Sequence, residues 1–235
     1  MLKIASAGST VFGARAAAAL YAQTSADAVV SGFEIVTDHG HLLFERARAG
    51  ALAADIVMLP TDMIAGLAAT GVVAGETRTA LGTVEIGAAV RRGHERLEVS
   101  MCDALLAALR ASEEIVLTLA PTGEHMMEVI ARLGLRDELA TKIRRFDKSS
   151  DVNAYVARSP QRALAFGPAT EIFGYADRGI AWAGPVPDEF QVRLAYEAAA
   201  LAQSPLLGEV RGFLRFLSGR KGREAFAATG VVASG

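Results

Sequence analysis

The chain is poor in the residues that usually make a chemistry readable at once. It has one cysteine, Cys102, in 235 residues, so neither an internal disulfide nor a thiolate metal cluster can form. Cys102 sits in an apolar helical pattern and reads as a buried structural thiol. Four histidines are present, and none belongs to an HExxH motif; GxSxG and GxGxxG are missing too. His39 and His41 lie two apart, and a third metal ligand would have to come from Asp38, Glu124, His125 or Glu171. Closed zinc sites need more ligands of defined kind, so no metal and no cofactor is expected.

Charge of one sign is also lacking. Lys and Arg number 24 against 26 Asp and Glu, a formal net charge of -2, which gives nucleic-acid binding no electrostatic support. The local cluster Lys142, Arg144, Arg145, Lys148 reads as a solvated face. No stretch approaches about 18 charge-free apolar residues, the length needed to span a bilayer, so direct membrane insertion is not expected. A basic segment followed by a separate apolar leader core is not visible either. The expected location is the cytoplasm as written, or the periplasm or exterior if a leader was removed. No short internal repeat is present.

What is there is a well-populated core. The chain is 51% hydrophobic and 21% charged, a folded rather than disordered composition, and long enough for one large domain or two small lobes. The first stretch sets the pattern: an apolar run from Leu2 to Ala5, the small polar loop Ser6-Ala7-Gly8-Ser9-Thr10, then an Ala-rich helical run. That loop reads either as an anion-holding turn at a helix N-terminus or as an ordinary βα turn. A strand over 29–36 ends at Thr37-Asp38-His39-Gly40, a helix follows over 42–49, and a strand over 54–60 leads into a helix over 63–69. Successive βα units imply an α/β fold with parallel strands covered by helices. Ligands of such sheets collect outside the carboxyl ends of the strands.

Val84 to Val90 reads as one longer strand, and Ser100 as the N-cap of a helix over 103–109. The pattern then restarts: a strand over 115–119, a polar turn Pro121 to His125, a helix over 126–133, helices over 137–143 and 151–156, and a strand over 163–166 ending at Gly167 to Glu171. Gly179 to Pro187 reads as an extended crossover, and 190–200 as a strand flowing into a helix. Two helices broken at Ser218-Gly219 close the chain. The recurrence implies two similar lobes.

The candidate site residues follow from these strand ends. Ser6, Ser9, Thr10, Thr122 and Thr170 are neutral donors, which suit an ionised oxyanion or carboxylate; each also has the ordinary reading of a helix cap. Gly123 and His125 lie in the second lobe's equivalent turn. His39 beside Asp38 reads as a donor to an anion, a general base, or a solvent-facing cap. Glu171 adds a carboxylate at the end of the strand over 163–166.

Taken together, these stretches resemble the molybdate-binding branch of the type 2 periplasmic solute-binding proteins over almost the whole chain. The residues that carry the resemblance are Leu2–Thr10, Ala54-Asp55-Ile56-Val57, Ala120-Pro121-Thr122-Gly123, Arg132-Leu133-Gly134-Leu135, Asn153 to Ala157, and the tail from Gly212-Phe213-Leu214 to Thr229-Gly230. The resemblance implies two Rossmann-like lobes with mixed sheets, 1–84 with 190–235 and 85–189. It also implies a two-strand hinge near Thr83–Ala89 and Pro187–Val192 and a small anionic ligand clamped between the lobes, with a membrane transporter as partner if the protein is exported. Two departures stand out. Asp38 and His39 replace the expected small hydroxyl and glycine, and Glu171 stands where the family often has Tyr. An acidic side chain near a dianion is unfavourable unless it turns away or is neutralised. Some relatives are cofactor-free isomerases of small tricarboxylates, aconitate isomerase among them. By that likeness His39, Glu171 and Asp38 would move a proton off the substrate and back, while Ser9, Thr10 and the Thr122–Gly123 amides hold carboxylates.

Overall fold

The apolar run at the start of the chain forms β1 (Leu2–Ala7), which passes through one 3-10 turn at Gly8–Thr10 into α1 (Val11–Thr24). The computed structural model describes residues 1–24, 32–95 and 97–232. The alternation continues with β2 (Phe33–Asp38), α2 (Gly40–Arg48), β3 (Ile56–Pro60), α3 (Thr61–Ala69) and β4 (Thr79–Val84). The chain then builds a second unit from β5 (Ile86–Arg91), α4 (Cys102–Ala111), β6 (Glu114–Thr118), α5 (Pro121–Arg132), α6 (Arg136–Leu139) and β7 (Ile143–Phe146), followed by α7 (Ser149–Arg158), β8 (Ala163–Pro168), α8 (Ala169–Gly174) and β9 (Ile180–Pro185). It returns to the first unit with β10 (Leu194–Ala200), α9 (Leu207–Ser218) and α10 (Arg220–Ala227). Unit 1 is thus Met1–Val84 with Leu194–Gly235, and unit 2 is Glu85–Arg193.

Each unit holds one five-stranded mixed sheet, ordered β2-β1-β3-β10-β4 in unit 1 and β7-β6-β8-β5-β9 in unit 2. In unit 1, β1 runs parallel to β2 and β3, and β10 runs antiparallel to β3 and β4. Unit 2 repeats this: β6 is parallel to β7 and β8, and β5 is antiparallel to β8 and β9. The α/β class with two mixed sheets therefore stands.

The strands that face helices on both sides are apolar throughout, as such strands must be. All five residues of β3 are buried. The one ionisable residue next to it, Asp55, is tied down. Its carboxylate accepts the Lys3 backbone N–H at 2.8 Å and the Ser204 hydroxyl at 2.7 Å, which joins β1, β3 and the turn after β10. A ring cluster of Tyr21, Phe33, Phe213 and Phe216 closes one side of unit 1, with Tyr21 edge-on to Phe213 at 5.3 Å. Such pairs add about 0.5–1.5 kcal/mol each beyond their buried area.

Several local expectations change. The strand expected over 29–36 starts at Phe33 in the structure; residues 29–31 lie outside the described residues. The run Val84–Val90 is two strands, because Glu85 separates a residue paired with β10 from one paired with β8. The helix expected over 137–143 stops at Leu139, and Ile143–Phe146 is an edge strand. Its two arginines reach outward and sideways, to Glu114 and to Glu124 with the Thr118 carbonyl, rather than forming a helix face. Met101, not Ser100, is the N-cap of α4, and no side chain caps it. The expected crossover is largely β9, an edge strand paired with β5. Residues 194–200 stay extended and do not pass into a helix. Cys102 is half-exposed, and its thiol donates to the Glu189 carboxylate. That bond, together with the neighbouring charge, raises the thiol pKa and keeps it protonated.

Close packing at one glycine provides a stability test. A Cβ on Gly13 of α1 would lie 2.4 Å from the Phe226 ring, and Phe226 is 1% exposed and has nowhere to go. Gly13→Ala is expected to destabilise the protein by about 1–3 kcal/mol. Gly208→Ala in α9 meets nothing within 4 Å and should gain about 0.5–1 kcal/mol. Urea titration of both variants reads the difference in sign.

Candidate functional site

Parallel strands gather their carboxyl ends on one edge of a sheet. In unit 1 that edge carries Ser6–Thr10 after β1 and Asp38–Gly40 after β2. In unit 2 it carries Thr118–Gly123 after β6, Ser149 after β7 and Pro168–Glu171 after β8. All the candidate site residues except His125, which lies further along α5, fall on these two edges.

Ser6 and Thr10 are both 0% exposed, and their hydroxyls meet each other at 2.9 Å. Each also bonds the Ala7 carbonyl, at 3.0 and 3.2 Å. These two residues hold the shape of the first turn, and Ser9 is the hydroxyl of that loop left partly open to solvent. At the second loop, Asp38 accepts the His39 backbone N–H at 2.9 Å and pairs with Arg46 at 3.2 Å. The carboxylate that looked hostile to an anion thus has its own counter-charge. His39 is exposed, caps α2 through its backbone carbonyl, and stacks its ring on His41 at 5.7 Å. Asp38 orients the His39 main chain, not its ring.

In unit 2, the expected polar turn 121–125 is the first turn of α5, with Pro121 at its first position, where a missing N–H costs nothing. Thr122 is partly exposed there. A Cβ on Gly123 would stand 1.9 Å from the Thr118 carbonyl oxygen. Only glycine lets the start of α5 seat so closely on the end of β6. His125 turns elsewhere, with Nε2 2.7 Å from the Phe190 carbonyl oxygen; this side chain ties α5 to the segment before Gln191.

Three polar atoms in unit 2 are buried without a hydrogen-bond partner among the described residues: Thr118 Oγ1, Thr170 Oγ1 and Arg145 Nε. Thr118 and Thr170 are 2% and 1% exposed. Strand alternation sets Thr118 on the face of β6 that carries Val116, and Val116 packs in one cluster with Val152 of α7 and Ile172 of α8. Thr170 and Glu171 lie in the first turn of α8, and Ser149 begins α7. Burial raises the Glu171 carboxyl above its ordinary value, and a hydrogen bond from the Ser149 hydroxyl offsets this only in part. Two orphaned hydroxyls and an acid whose pKa is raised by desolvation thus lie at the carboxyl end of the sheet of unit 2. Native proteins rarely leave buried hydroxyls unmet, since each costs about 1–3 kcal/mol. Thr118 and Ser149 carry no sequence signal of their own, because what marks them is burial.

Among the described residues no group of three His, Cys, Asp or Glu assembles to hold a metal ion, and no helix is long and apolar enough to cross a membrane.

The model of the family described as bacterial extracellular solute-binding protein matches residues 2–232. The chain is 27% identical over 179 residues to an aconitate isomerase from a Pseudomonas species, spanning 76% of this chain and 67% of that protein. Its fold resembles the periplasmic molybdate-binding protein of Azotobacter vinelandii, with a TM-score of 0.77, 14% identity and complete coverage of both chains. It also resembles PEB3 of Campylobacter jejuni in its L-phospholactate-bound form, with a TM-score of 0.68, 14% identity and 98% of each chain covered.

The orphaned hydroxyls make opposite demands on stability and on binding. Thr118→Val and Thr170→Val keep the side-chain shape and remove the unmet group. Each variant should be more stable than the parent by about 1–3 kcal/mol in urea titrations without ligand. Glu171→Gln tests the buried acid. Its folded-state pKa is raised, so its stabilising contribution is complete below the ordinary carboxylate value and is lost as pH rises through the folded value. The variant should therefore melt higher than the parent at about pH 7.5, and the gap should close at about pH 4.

Proposed function

Since the chain belongs to the bacterial extracellular solute-binding protein family, we propose that it is a receptor for a small oxyanion or carboxylate, held by strand-end donors. The observation that carries this reading is the pair of buried, partnerless hydroxyls at Thr118 and Thr170, which an anionic oxygen would satisfy. Ser9, Thr122 and the start of α5 supply further neutral donors. Neutral donors let a fully ionised ligand bind without importing a counter-ion. The two carboxylates near these loops are compatible with an anion, Asp38 through its pairing with Arg46 and Glu171 through desolvation, which raises its pKa and so disfavours its charge. Export and delivery to a membrane transporter extend the same reading.

A second reading has one specific support, the aconitate isomerase relative. In it the bound ligand is a small di- or tricarboxylic acid, and Glu171 or His39 removes and returns a proton. Burial of Glu171 favours the reading, since a raised pKa brings a carboxyl closer to a working acid–base range. His39 has weaker standing, because no carboxylate orients its ring.

Thermal shift and calorimetry against molybdate, sulfate, phosphate, citrate and trans-aconitate test the receptor reading. At least one anion should raise the melting temperature, and Thr118→Val should weaken that anion by about tenfold, or about 1.4 kcal/mol. No response to any of them would sink the proposal. Incubation with trans-aconitate in D₂O, followed by NMR, separates the second reading: deuterium incorporation supports an isomerase, and its absence leaves a receptor only.

A further inference from the structure

A concavity of unit 1 lies at the β4 edge of its sheet. It is a groove of about 590 Å³ between the outer edge of β4, over Thr79–Gly82, and α9. Through Ala198 of β10 and Met58 of β3, Thr79 lies level with Ser6 of β1. The groove is therefore set apart from Ser6–Thr10 across the sheet, with β3 and β10 between them.

Its chemistry is distinctive. Four guanidinium groups line it, from Arg78, Arg211, Arg215 and Arg223. Two have carboxylate partners: Arg78 grips Glu197 at 2.7 and 3.0 Å, and Arg211 meets Glu76 at 2.9 Å. Arg215 and Arg223 are exposed and have no carboxylate partner among the described residues, and Arg223 donates to the Ser218 carbonyl. The groove is locally cationic on a chain whose net charge is -2. Its floor includes apolar Leu214 and Val231. Its wall is a sheet edge: β4 pairs β10 on its inner side, and on its outer side Thr83 exchanges backbone hydrogen bonds with Val232 while Val231 and Val232 pack against Gly82, which leaves the edge over Thr79–Leu81 without a paired strand among the described residues. An uncovered edge invites strand addition.

We propose that this groove docks an extended acidic segment of a partner protein, added along β4 with its carboxylates against Arg215 and Arg223. A strand alternates its side chains between two faces, so one segment can set acids toward the arginines and apolar groups toward Leu214 and Val231. A compact polyanion fits less well, because the unpaired guanidinium groups come from two different helices and are open to water. This inference does not rest on the identity of the small ligand.

The probe is a fluorescein-labelled peptide of alternating Glu and Val, about ten residues long, read by fluorescence anisotropy. It should bind, weaken as salt is raised, and lose at least about tenfold in affinity to the Arg215→Glu/Arg223→Glu double variant. The same peptide N-methylated at alternate residues should not bind, since it cannot join a strand edge. Both substitutions are on exposed side chains, and an unchanged melting temperature shows that the variant is folded. If the double variant does not fold, Arg215→Gln and Arg223→Gln are read singly for the same loss. Failure of the peptide to bind, equal binding to the variant, or equal binding of the N-methylated peptide overturns the proposal. So does equally tight binding of inorganic tripolyphosphate, which would mark a small-polyanion site. Self-association of the chain that the variant abolishes also overturns it, by making the occupant a second copy.

Discussion

The constraint on which both sheets depend is the strand that arrives from elsewhere in the chain. In unit 1 the fourth position of the sheet is filled by β10, contributed only after the whole of unit 2 has been laid down. In unit 2 the same position is filled by β5, the first strand after the chain leaves unit 1. Each is antiparallel, and each separates the three parallel strands from the last edge strand. Without β10, the apolar inner side of β3 would have no partner and β4 would be cut off from the sheet. The two units are therefore not independent beads. Unit 1 closes only by pairing residues near 57–60 with residues near 196–199, a long loop to bring together. Its closure entropy grows only slowly with length, but its distance in sequence slows folding. The Asp55 contacts to Lys3 and Ser204 reinforce this long-range junction from the side of the loop.

Much of this was legible in the residues because it rests on local periodicity. The strand–turn–helix rhythm, the break at Ser218-Gly219 and the apolar strand at Ile56 each follow from spacing alone. What was not legible depends on partners. Ile143-Arg144-Arg145-Phe146 has the charge pattern of a solvated helix face, and it becomes a strand because β6 offers an edge and because Glu114 and Glu124 receive the two guanidinium groups. Glu114 itself is a buried carboxylate. Its burial opposes ionisation, and hydrogen bonds from Tyr155 and Arg144 outweigh that and lower its pKa. No window of sequence shows such a balance. Similarly, Val84 to Val90 has the look of one strand, since hydrophobicity does not record that its two halves belong to different sheets.

The candidate site divides along the same line. The small polar loops and Gly123 were visible as composition, yet their roles separate only in three dimensions. Ser6 and Thr10 turn inward and satisfy one another, so they shape the loop, whereas Ser9 stays open. His125 is held by a carbonyl. Thr118, outside the quoted turn motifs, is marked because its hydroxyl is buried and alone. A hydroxyl that satisfies a neighbour contributes to the fold, and one that lacks a partner is a cost that a ligand can relieve. This criterion sorts the candidate donors better than residue type does.

It also bears on the two acids. A carboxylate beside a loop that would take an anion is tolerable if another charge offsets it, as Arg46 offsets Asp38. Glu171 depends on burial against a single Ser149 hydroxyl, so its charge changes with its surroundings. A bound anion raises the pKa of a nearby acid further, which makes the protonated acid a better donor to that same anion. With the proposed ligand beside Glu171, binding and protonation would be linked, each favouring the other. That linkage serves a receptor by gripping an anion more tightly as pH falls. It serves an isomerase by holding a proton beside the substrate that has to receive it. Both readings therefore draw on the same property of one side chain, and what separates them is whether that proton stays on oxygen or passes to carbon.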